Sequence, residues 1–414
     1  MTVSGRTGIV LIRQLHWSGG PLNRIDTVAE GELLHPGQDV PQTGVSTQVL
    51  SGSDSLQAYA RFCQNALYAG AEHPLWAETW LGEKRPEERL ITLTFKNGQP
   101  AMALALEVRR MGPCSVACFA GGSHAHSNFP PITGEPLEMG DLYGVLHDIR
   151  AARPDIDALI LRRMRRDFMG APNPLLHLWH VESANLAFAK SLDRARELNA
   201  VASSSRMSRH RRIQRKLKPI AEVRVIQAQT REEVDHLFDH FLQWKGEQLE
   251  QRGIANSFGP EEVQTSFRKL FHRALEEEVP SYVLYGLEVG GTLRAVNGYS
   301  RSAEGLLCDF LAYRNDELAQ FALGEYLTYE VVAQAVQGTD AIYDLGVGEA
   351  RYKRSWCDLK RQQFEVHVGL SFKGKMLTLA TMAAERAKRF IKRNKTANAF
   401  LHKAREVLAR AKSE

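Results

Sequence analysis

No run of apolar residues in this chain approaches the roughly 18 to 20 needed to cross a bilayer. The stretch from Gly8 to Ile12 is also too short for the apolar core of a secretory signal. A cytoplasmic address is therefore expected, with peripheral attachment at the inner membrane as a variant. Cysteine is scarce: Cys63, Cys114, Cys118, Cys308 and Cys357 are odd in number and scattered, which argues against a disulfide framework and predicts reduced, mostly buried thiols. Cys114 and Cys118 lie four positions apart on a predicted strand, about 13 Å if extended and too far to share one zinc without a bend. His124 and His126 follow in a glycine-rich loop, but no metal is expected. Walker and dinucleotide-binding sequences are both absent.

What is present reads as a globular α/β protein. At 414 residues the chain exceeds the size at which one core usually keeps growing, so two domains plus tails are expected. Hydrophobic residues make up 43% and charged residues 24%, without the apolar poverty of disordered chains. The net charge of +5 hides an asymmetry: residues 373–414 carry twelve Lys/Arg against three acids, +9, which leaves −4 for everything before them. A second basic run, residues 206–218, holds seven Lys/Arg and no acid; it is either a solvated helix face or an attractor for phosphate or anionic lipid.

Residues 1–50 are rich in Gly, Pro, Ser and Thr without a sustained period and are predicted to be a flexible leader. A first α/β unit then spans 51–195. Strands are predicted at 89–96, 100–109, 115–120 and 157–163, the first two joined by the turn pair Asn97-Gly98, with a strand-like piece near 176–181 and a helix near 138–152. A long helical stretch at 193–218 leads into a second unit, 196–370. That unit has a strand at 222–228, helices at 231–252 and 260–278, and three antiparallel strands at 281–289, 292–300 and 305–314. A helix at 323–336 and strands at 341–345 and 363–369 complete it. The tail, 371–414, is predicted to be a basic amphipathic helix with apolar residues from Ala380 to Ile391 and again from Phe400 to Leu408. Its apolar face wants its own domain, a second subunit or an anionic membrane surface as partner.

The segment Tyr343-Asp-Leu-Gly-Val-Gly-Glu-Ala-Arg-Tyr-Lys-Arg-Ser-Trp356 resembles the signature of the CelD/BcsL-type GNAT acetyltransferase family, in which a strand ending Asp-x-Gly-x-Gly is followed by Tyr-Lys and an aromatic residue. Phe241-Leu-Gln-Trp-Lys245 with Gly253 and Phe258, the basic stretch 209–216, and His73-Pro-Leu-Trp76 with Trp80 are similar to further family motifs. The likeness spans roughly residues 54–370. It implies two tandem GNAT-like domains of mixed, mainly antiparallel sheets flanked by helices. It also implies a kinship with Fem-type aminoacyltransferases, in which an aromatic-Lys pair corresponding to Tyr352-Lys353 lies at the acyl-transfer centre. The usual phosphate-cradling loop of GNAT enzymes is present only as Gln320-Phe-Ala-Leu-Gly324, with Ala322-Leu323-Gly324 where the family often has Ser-Pro-Gly.

The expected activity is therefore transfer of an acyl group, from acetyl-CoA or another acyl-CoA, to an amine or hydroxyl of a small-molecule or glycan acceptor related to the cell envelope. Aminoacyl-tRNA is the alternative donor, and a non-catalytic scaffold in envelope polysaccharide assembly is the alternative role. Acyl transfer needs a positioned carbonyl, an oxyanion donor and a base. Lys353 is the first choice for the cation, against the reading of a surface charge. Asp344 either orients Lys353, acts as base, or builds the turn. Asp309 is a carboxylate in an apolar row, contacting substrate or ion-paired with Lys245 or Arg314. Glu349 is either base or exposed turn acid, and Tyr352 either protonates a leaving thiolate or packs on Trp356. Residues Phe321, Ala322, Leu323, Gly324 and Glu325 begin a helix whose free N–H groups could hold a pyrophosphate. Lys245, Gly346, Gly348 and Trp356 are the expected acceptor contacts.

Overall fold

The computed structural model describes residues 44–134 and 136–394. The predicted leader over 1–43 and the second apolar series of the tail, from Phe400 to Leu408, lie outside the described residues. In chain order the first half contains β1 (Val45–Leu50), α1 (Ser55–Cys63), α2 (Pro74–Leu81), β2 (Arg89–Lys96), β3 (Gln99–Met111), β4 (Cys114–Phe119), α3 (Met139–Ala152) and β5 (Ala158–Met164). The short pair β6 (Asp167–Phe168) and β7 (Ala171–Pro172) follows, then β8 (His180–Ser191) and α4 (Leu192–Glu197). The second half contains α5 (Ser204–Leu217), β9 (Val223–Gln227), α6 (Arg231–Glu250), α7 (Glu261–Ala274), β10 (Tyr282–Val289), β11 (Thr292–Ser302) and β12 (Gly305–Tyr313). It closes with α8 (Leu323–Gln337), β13 (Ile342–Val347), α9 (Arg351–Trp356), β14 (Leu359–Gly369) and α10 (Phe372–Arg393).

Twelve strands form one sheet in the order β1-β2-β3-β4-β5-β14-β8-β13-β12-β11-β10-β9. Each half repeats one plan. Strands β1 to β4, and again β9 to β12, are successively antiparallel, and a fifth strand, β5 or β13, pairs parallel with the fourth. The centre is interlocked, because β14 lies between β5 and β8, while β8 lies between β14 and β13. The two tight hairpins follow from local chemistry. Asn97 and Gly98 have φ of 51° and 76°, and Gly290 and Gly291 have 64° and 72°, the left-handed pair that a two-residue turn matched to strand twist requires. Helix α6 starts at a reciprocal cap, Glu233 N–H donating to Thr230 Oγ1 at 3.2 Å and Thr230 N–H to Glu233 Oε2 at 3.3 Å.

Helices cover both faces. One core joins the halves, with Trp76 and Trp80 of α2, Phe238 and Phe241 of α6, Phe267 of α7 and Phe310 of β12 among its members. The opposite core gathers Tyr299, Leu327, Val331, Tyr343 and Trp356. The Trp76 indole donates to Ala120 O at 3.0 Å and its ring stacks on Tyr282, so the aromatic motif at 73–80 serves the seam between the halves.

Three expectations are corrected. The last residues of the predicted leader form β1, an edge strand with Val45 opposite Lys96 and Leu50 opposite Ile91. The helical stretch at 193–218 is two helices, α4 and α5. Asn199 turns left-handed with φ 47° between them, a conformation asparagine tolerates at a helix end. The strand-like piece near 176–181 starts in a 3-10 turn at Pro174–His177, and only its last two residues are strand, the beginning of β8, twelve residues long.

Helix α10 packs its buried Thr378, Met382 and Glu385 toward the sheet and leaves Phe372, Met376, Leu379 and Phe390 exposed. Its first turn is seated on Asp157, whose main-chain oxygen accepts from Leu370 N–H at 2.8 Å and Ser371 N–H at 3.1 Å. A Cβ on Gly374 would overlap that same oxygen. Gly374→Ala is therefore expected to lower stability by about 1–3 kcal/mol, the usual cost of overpacking, read as a lower urea midpoint. An unchanged midpoint would show that the helix sits loosely.

Candidate active site

Parallel strands β12 and β13 pair only where Gly305, Leu306 and Leu307 face Ile342, Tyr343 and Asp344. Beyond that point each strand runs on, and two ammonium groups serve the carbonyls of the gap. Lys353 Nζ donates to Leu345 O at 2.5 Å and Val347 O at 2.8 Å, and Lys245 Nζ donates to Leu311 O at 3.3 Å. An ammonium has three protons; Leu345 O and Val347 O engage two of those on Lys353. Burial pushes Lys353 below the usual lysine range, against the pull of Cys308 and Asp344. Lys245 is lowered in the same way. The predicted cation is thus half-buried in a gap of the sheet.

Asp344 builds the turn that leads to it. Its Oδ1 accepts from Gly346 N–H at 2.6 Å and its Oδ2 from Arg361 at 3.3 Å. It makes no hydrogen bond to Lys353, which donates instead to the carbonyls of the same turn; burial raises the Asp344 pKa, with Arg361 opposing. Gly346 and Gly348 have φ of 69° and 112°, conformations that favour glycine. A Cβ on Gly346 would sit 3.6 Å from Cys308 O and 3.9 Å from His126 Cβ, so the turn is pressed against β12 and a loop of the first half.

Asp309 has neither expected partner. Lys245 serves Leu311, Arg314 pairs with Asp316 at 3.2 Å, and Asp309 instead accepts from Ser300 Oγ at 3.2 Å. Burial pushes its carboxyl well above the ordinary range, and Ser300 only partly opposes this. Beside it, burial lifts the Cys308 thiol to about 12 despite Lys353 and Lys245. Such a thiol is inert at neutral pH. Tyr352 is 38% exposed and does not stack on Trp356. Glu349 is exposed in an ion pair with Arg354, which takes it out of the gap and leaves the turn-acid reading.

Trp356 faces the other way. It lies under the Arg206 guanidinium, 4.6 Å from the ring centroid, and lines a cavity with Arg206, Arg209, Ala322 and Glu325. That cavity borders the start of the fifteen-residue helix α8, where Ala322 has φ 51°. Among the described residues, the N–H groups of Leu323 and Gly324 have no hydrogen-bond partner and neither does the buried Trp356 Nε1. Leu323 itself is core, and Gly324 lets Tyr313 approach. Only Ala322 and Glu325 of the five predicted cofactor residues line the cavity, and the Glu325 carboxylate is clasped by Arg206 and, at 3.1 Å, by Arg209. Those two arginines were visible in the sequence only as a basic run.

His126, notable in the sequence only for its glycine-rich loop, and Arg163, which belongs to no motif, lie beside the Gly346 turn. Arg163 Nη1 donates to His126 Nδ1 at 3.2 Å. His126 is held neutral, well below the usual histidine range, by burial and by the nearby charges of Arg163 and Lys353. Its neighbour His124 stacks on Trp80. Among the described residues no three His, Cys, Asp or Glu side chains are grouped to hold a metal ion.

Comparison with known proteins follows the same lines. Residues 204–354 match the family model of the acetyltransferase (GNAT) domain. FemX has a similar fold, at 10% identity and a TM-score of 0.55, over 80% of this chain and 100% of that one. So does the C-terminal domain of a provisionally assigned lysylphosphatidylglycerol synthetase from Agrobacterium fabrum, at 10% identity and a TM-score of 0.50, over 80% of this chain and 96% of that one. No curated protein matches. At such identities the likeness is one of fold. The mixed α/β sheet flanked by helices is the fold class expected, and the match to the GNAT domain falls in its second half.

Proposed function

We propose that the chain is an acyltransferase that moves an acyl group from acyl-CoA, acetyl-CoA being the simplest, to an amine or hydroxyl of a polar small-molecule or glycan acceptor. The observation that carries this reading is Lys353, a half-buried ammonium with two protons committed to Leu345 O and Val347 O, which leaves one proton for a reacting oxygen. The resemblance of residues 343–356 to the CelD/BcsL signature supports it.

The donor's phosphates would be met by the free N–H groups of Leu323 and Gly324, by Arg206 and Arg209, and by the dipole of α8. Its thioester would enter the gap between β12 and β13. The acceptor nitrogen or oxygen then bonds to the thioester carbon, and the carbonyl oxygen takes the negative charge next to Lys353. When the carbon–sulfur bond breaks, the electron pair leaves on sulfur. The ionised form of Asp309, whose proton affinity is raised by burial, accepts the acceptor's proton. Tyr352, the residue before Lys353, supplies a proton from its hydroxyl to the thiolate.

Acetyl-CoA is expected to raise the melting temperature of the protein. Glu325→Gln, which frees Arg206 and Arg209 from a competing carboxylate, is expected to tighten coenzyme A binding roughly threefold to tenfold, as for loss of one partly screened charge. A thermal unfolding curve reads the first and calorimetric titration the second. No binding of any pantetheine compound to either protein would sink the donor assignment. Aminoacyl-tRNA is the second reading, favoured by the exposed Arg209, Arg211, Arg212, Arg215 and Lys216 of α5 beside the donor cavity. Stabilisation by tRNA and not by coenzyme A would select it.

A further inference from the structure

The first half has its own parallel junction, and it too is open. Strands β4 and β5 pair only at Val116 with Ala158 and Ala117 with Leu159. Beyond those pairs lies a cavity of about 190 Å³. Met111, Val116, Phe119 and Ile160 supply apolar wall, and Arg109, Arg162 and Arg163 supply three guanidinium groups.

These cations are under-compensated. Arg109 is exposed, and its side chain has no hydrogen bond or ion pair among the described residues. Arg162 has one carboxylate, Glu365 at 3.5 Å, which is shared with His367 at 3.6 Å. The nearby Glu107 is engaged by Lys84 at 3.6 Å. Arg163 is half-buried and donates to Ser123 O at 2.5 Å as well as to His126. Gly122 leaves the space: a Cβ there would come within 3.1 Å of Arg109 Nη1.

The backbone is distorted at the same place. Phe364 faces Met164 while Val366 faces Leu161, so Arg162 and Arg163 together oppose Glu365 alone. Arg163 has φ 56°, unusual for a non-glycine residue inside a strand. A bulge of this kind re-aims a side chain. Here it turns Arg163 from the cavity's edge toward His126, whose Cβ lies beside the Gly346 turn that precedes Lys353.

We propose that this cavity binds the acceptor through an anionic group, a phosphate monoester or a carboxylate, with the apolar wall taking the adjoining organic part. Guanidinium forks match both oxyanions in pairs, and the Arg163–His126–Gly346 contacts connect the bound end to the reaction gap. That the ligand is the acceptor rests on the transferase reading above; that an organic anion binds here does not.

The test uses the full chain with octyl phosphate, octanoate and the neutral octyl glucoside as probes, titrated calorimetrically at low salt. Octyl phosphate or octanoate is expected to bind, and the exposed-side double variant Arg109→Gln/Arg162→Gln to weaken it at least tenfold, with the glucoside bound weakly by both proteins. Which anion binds more tightly tells phosphate from carboxylate. Unchanged binding of both anions in the double variant, or a glucoside affinity equal to theirs, would overturn the proposal. So would coenzyme A binding lost in the double variant, since the cavity would then hold the donor. Absence of coenzyme A binding to wild type and variant alike would count against the donor assignment alone.

Discussion

Lys353→Met is expected to lower kcat/KM by about 10²–10³-fold, the loss typical of removing one oxyanion donor, with coenzyme A affinity nearly unchanged. The variant deletes the charge and the proton proposed to meet the reacting oxygen, while the proposed phosphate site lies beside Trp356 at the end of α9. Because Lys353 also ties Leu345 O and Val347 O, the turn needs a separate check, for which Lys353→Arg serves: it keeps charge and donors but not the ammonium geometry. Unfolding curves for both variants separate chemistry from collapse. The pH dependence gives a second signature. Burial lowers the pKa of Lys353, so the charged form and the activity that needs it are lost as pH rises through a value below 10.5. The sign for stability is opposite: the buried ammonium opposes folding below its folded pKa, and deprotonation relieves that cost as pH rises. Activity should therefore fall over an alkaline window in which the fold is not weakened by this group. Lys353→Met retaining wild-type turnover would remove the proposed mechanism.

Much of the scaffold was legible because its signals are local. Asn97-Gly98 and Gly290-Gly291 announce tight hairpins by residue type, and the apolar runs of β10, β11 and β12 need no distant partner to be recognised. Strand β8 was not legible. Its partners Ile342–Val347 and Leu359–Gly369 come from far downstream, and its Ser, Asn and Lys residues carry no clean alternation. The site divides in the same way. Residues 343–356 placed Lys353 after two glycines that do have positive φ. The sequence could not show that Lys353 would serve the carbonyls of a gap, since the gap exists only where two parallel strands stop pairing. His126 and Arg163 belong to the other half of the chain and reach the gap by tertiary packing. Glu325 reads as a favourable first-turn acid, which conceals that Arg206 and Arg209 on another helix already claim it.

The largest expected loss of stability comes from Glu304, a residue with no motif around it. It sits in the turn between β11 and β12 and receives two arginines at once. Arg165, just past β5, reaches it at 2.6 and 2.9 Å, and Arg361 of β14 reaches it through two nitrogens at 2.9 Å each. Arg361 also holds Asp344 at 3.3 Å, so one carboxylate joins the first half, the interlocked centre and the Gly346 turn. The side chains of Arg165, Glu304 and Asp344 are 10%, 14% and 8% exposed. Glu304→Ala would strip Arg165 of its carboxylate and leave Arg361 only the longer contact to Asp344, and a loss of about 3–5 kcal/mol is expected, as for breaking a buried pair from one side. Burial alone would raise the Glu304 pKa, but the hydrogen bonds and charges of Arg165 and Arg361 outweigh it and hold it below 4.5. A depressed carboxylate stabilises above its unfolded pKa and loses that contribution as pH falls through its folded value, so the wild type should show an acid-side stability step that Glu304→Ala lacks. Turnover should fall too, because Asp344 then shares its site with a displaced Arg361. Double-mutant cycles with Arg165→Met would give a coupling well above that of surface pairs. A coupling near zero, with an unchanged acid limb, would mean that the carboxylate does not lock the centre of the sheet.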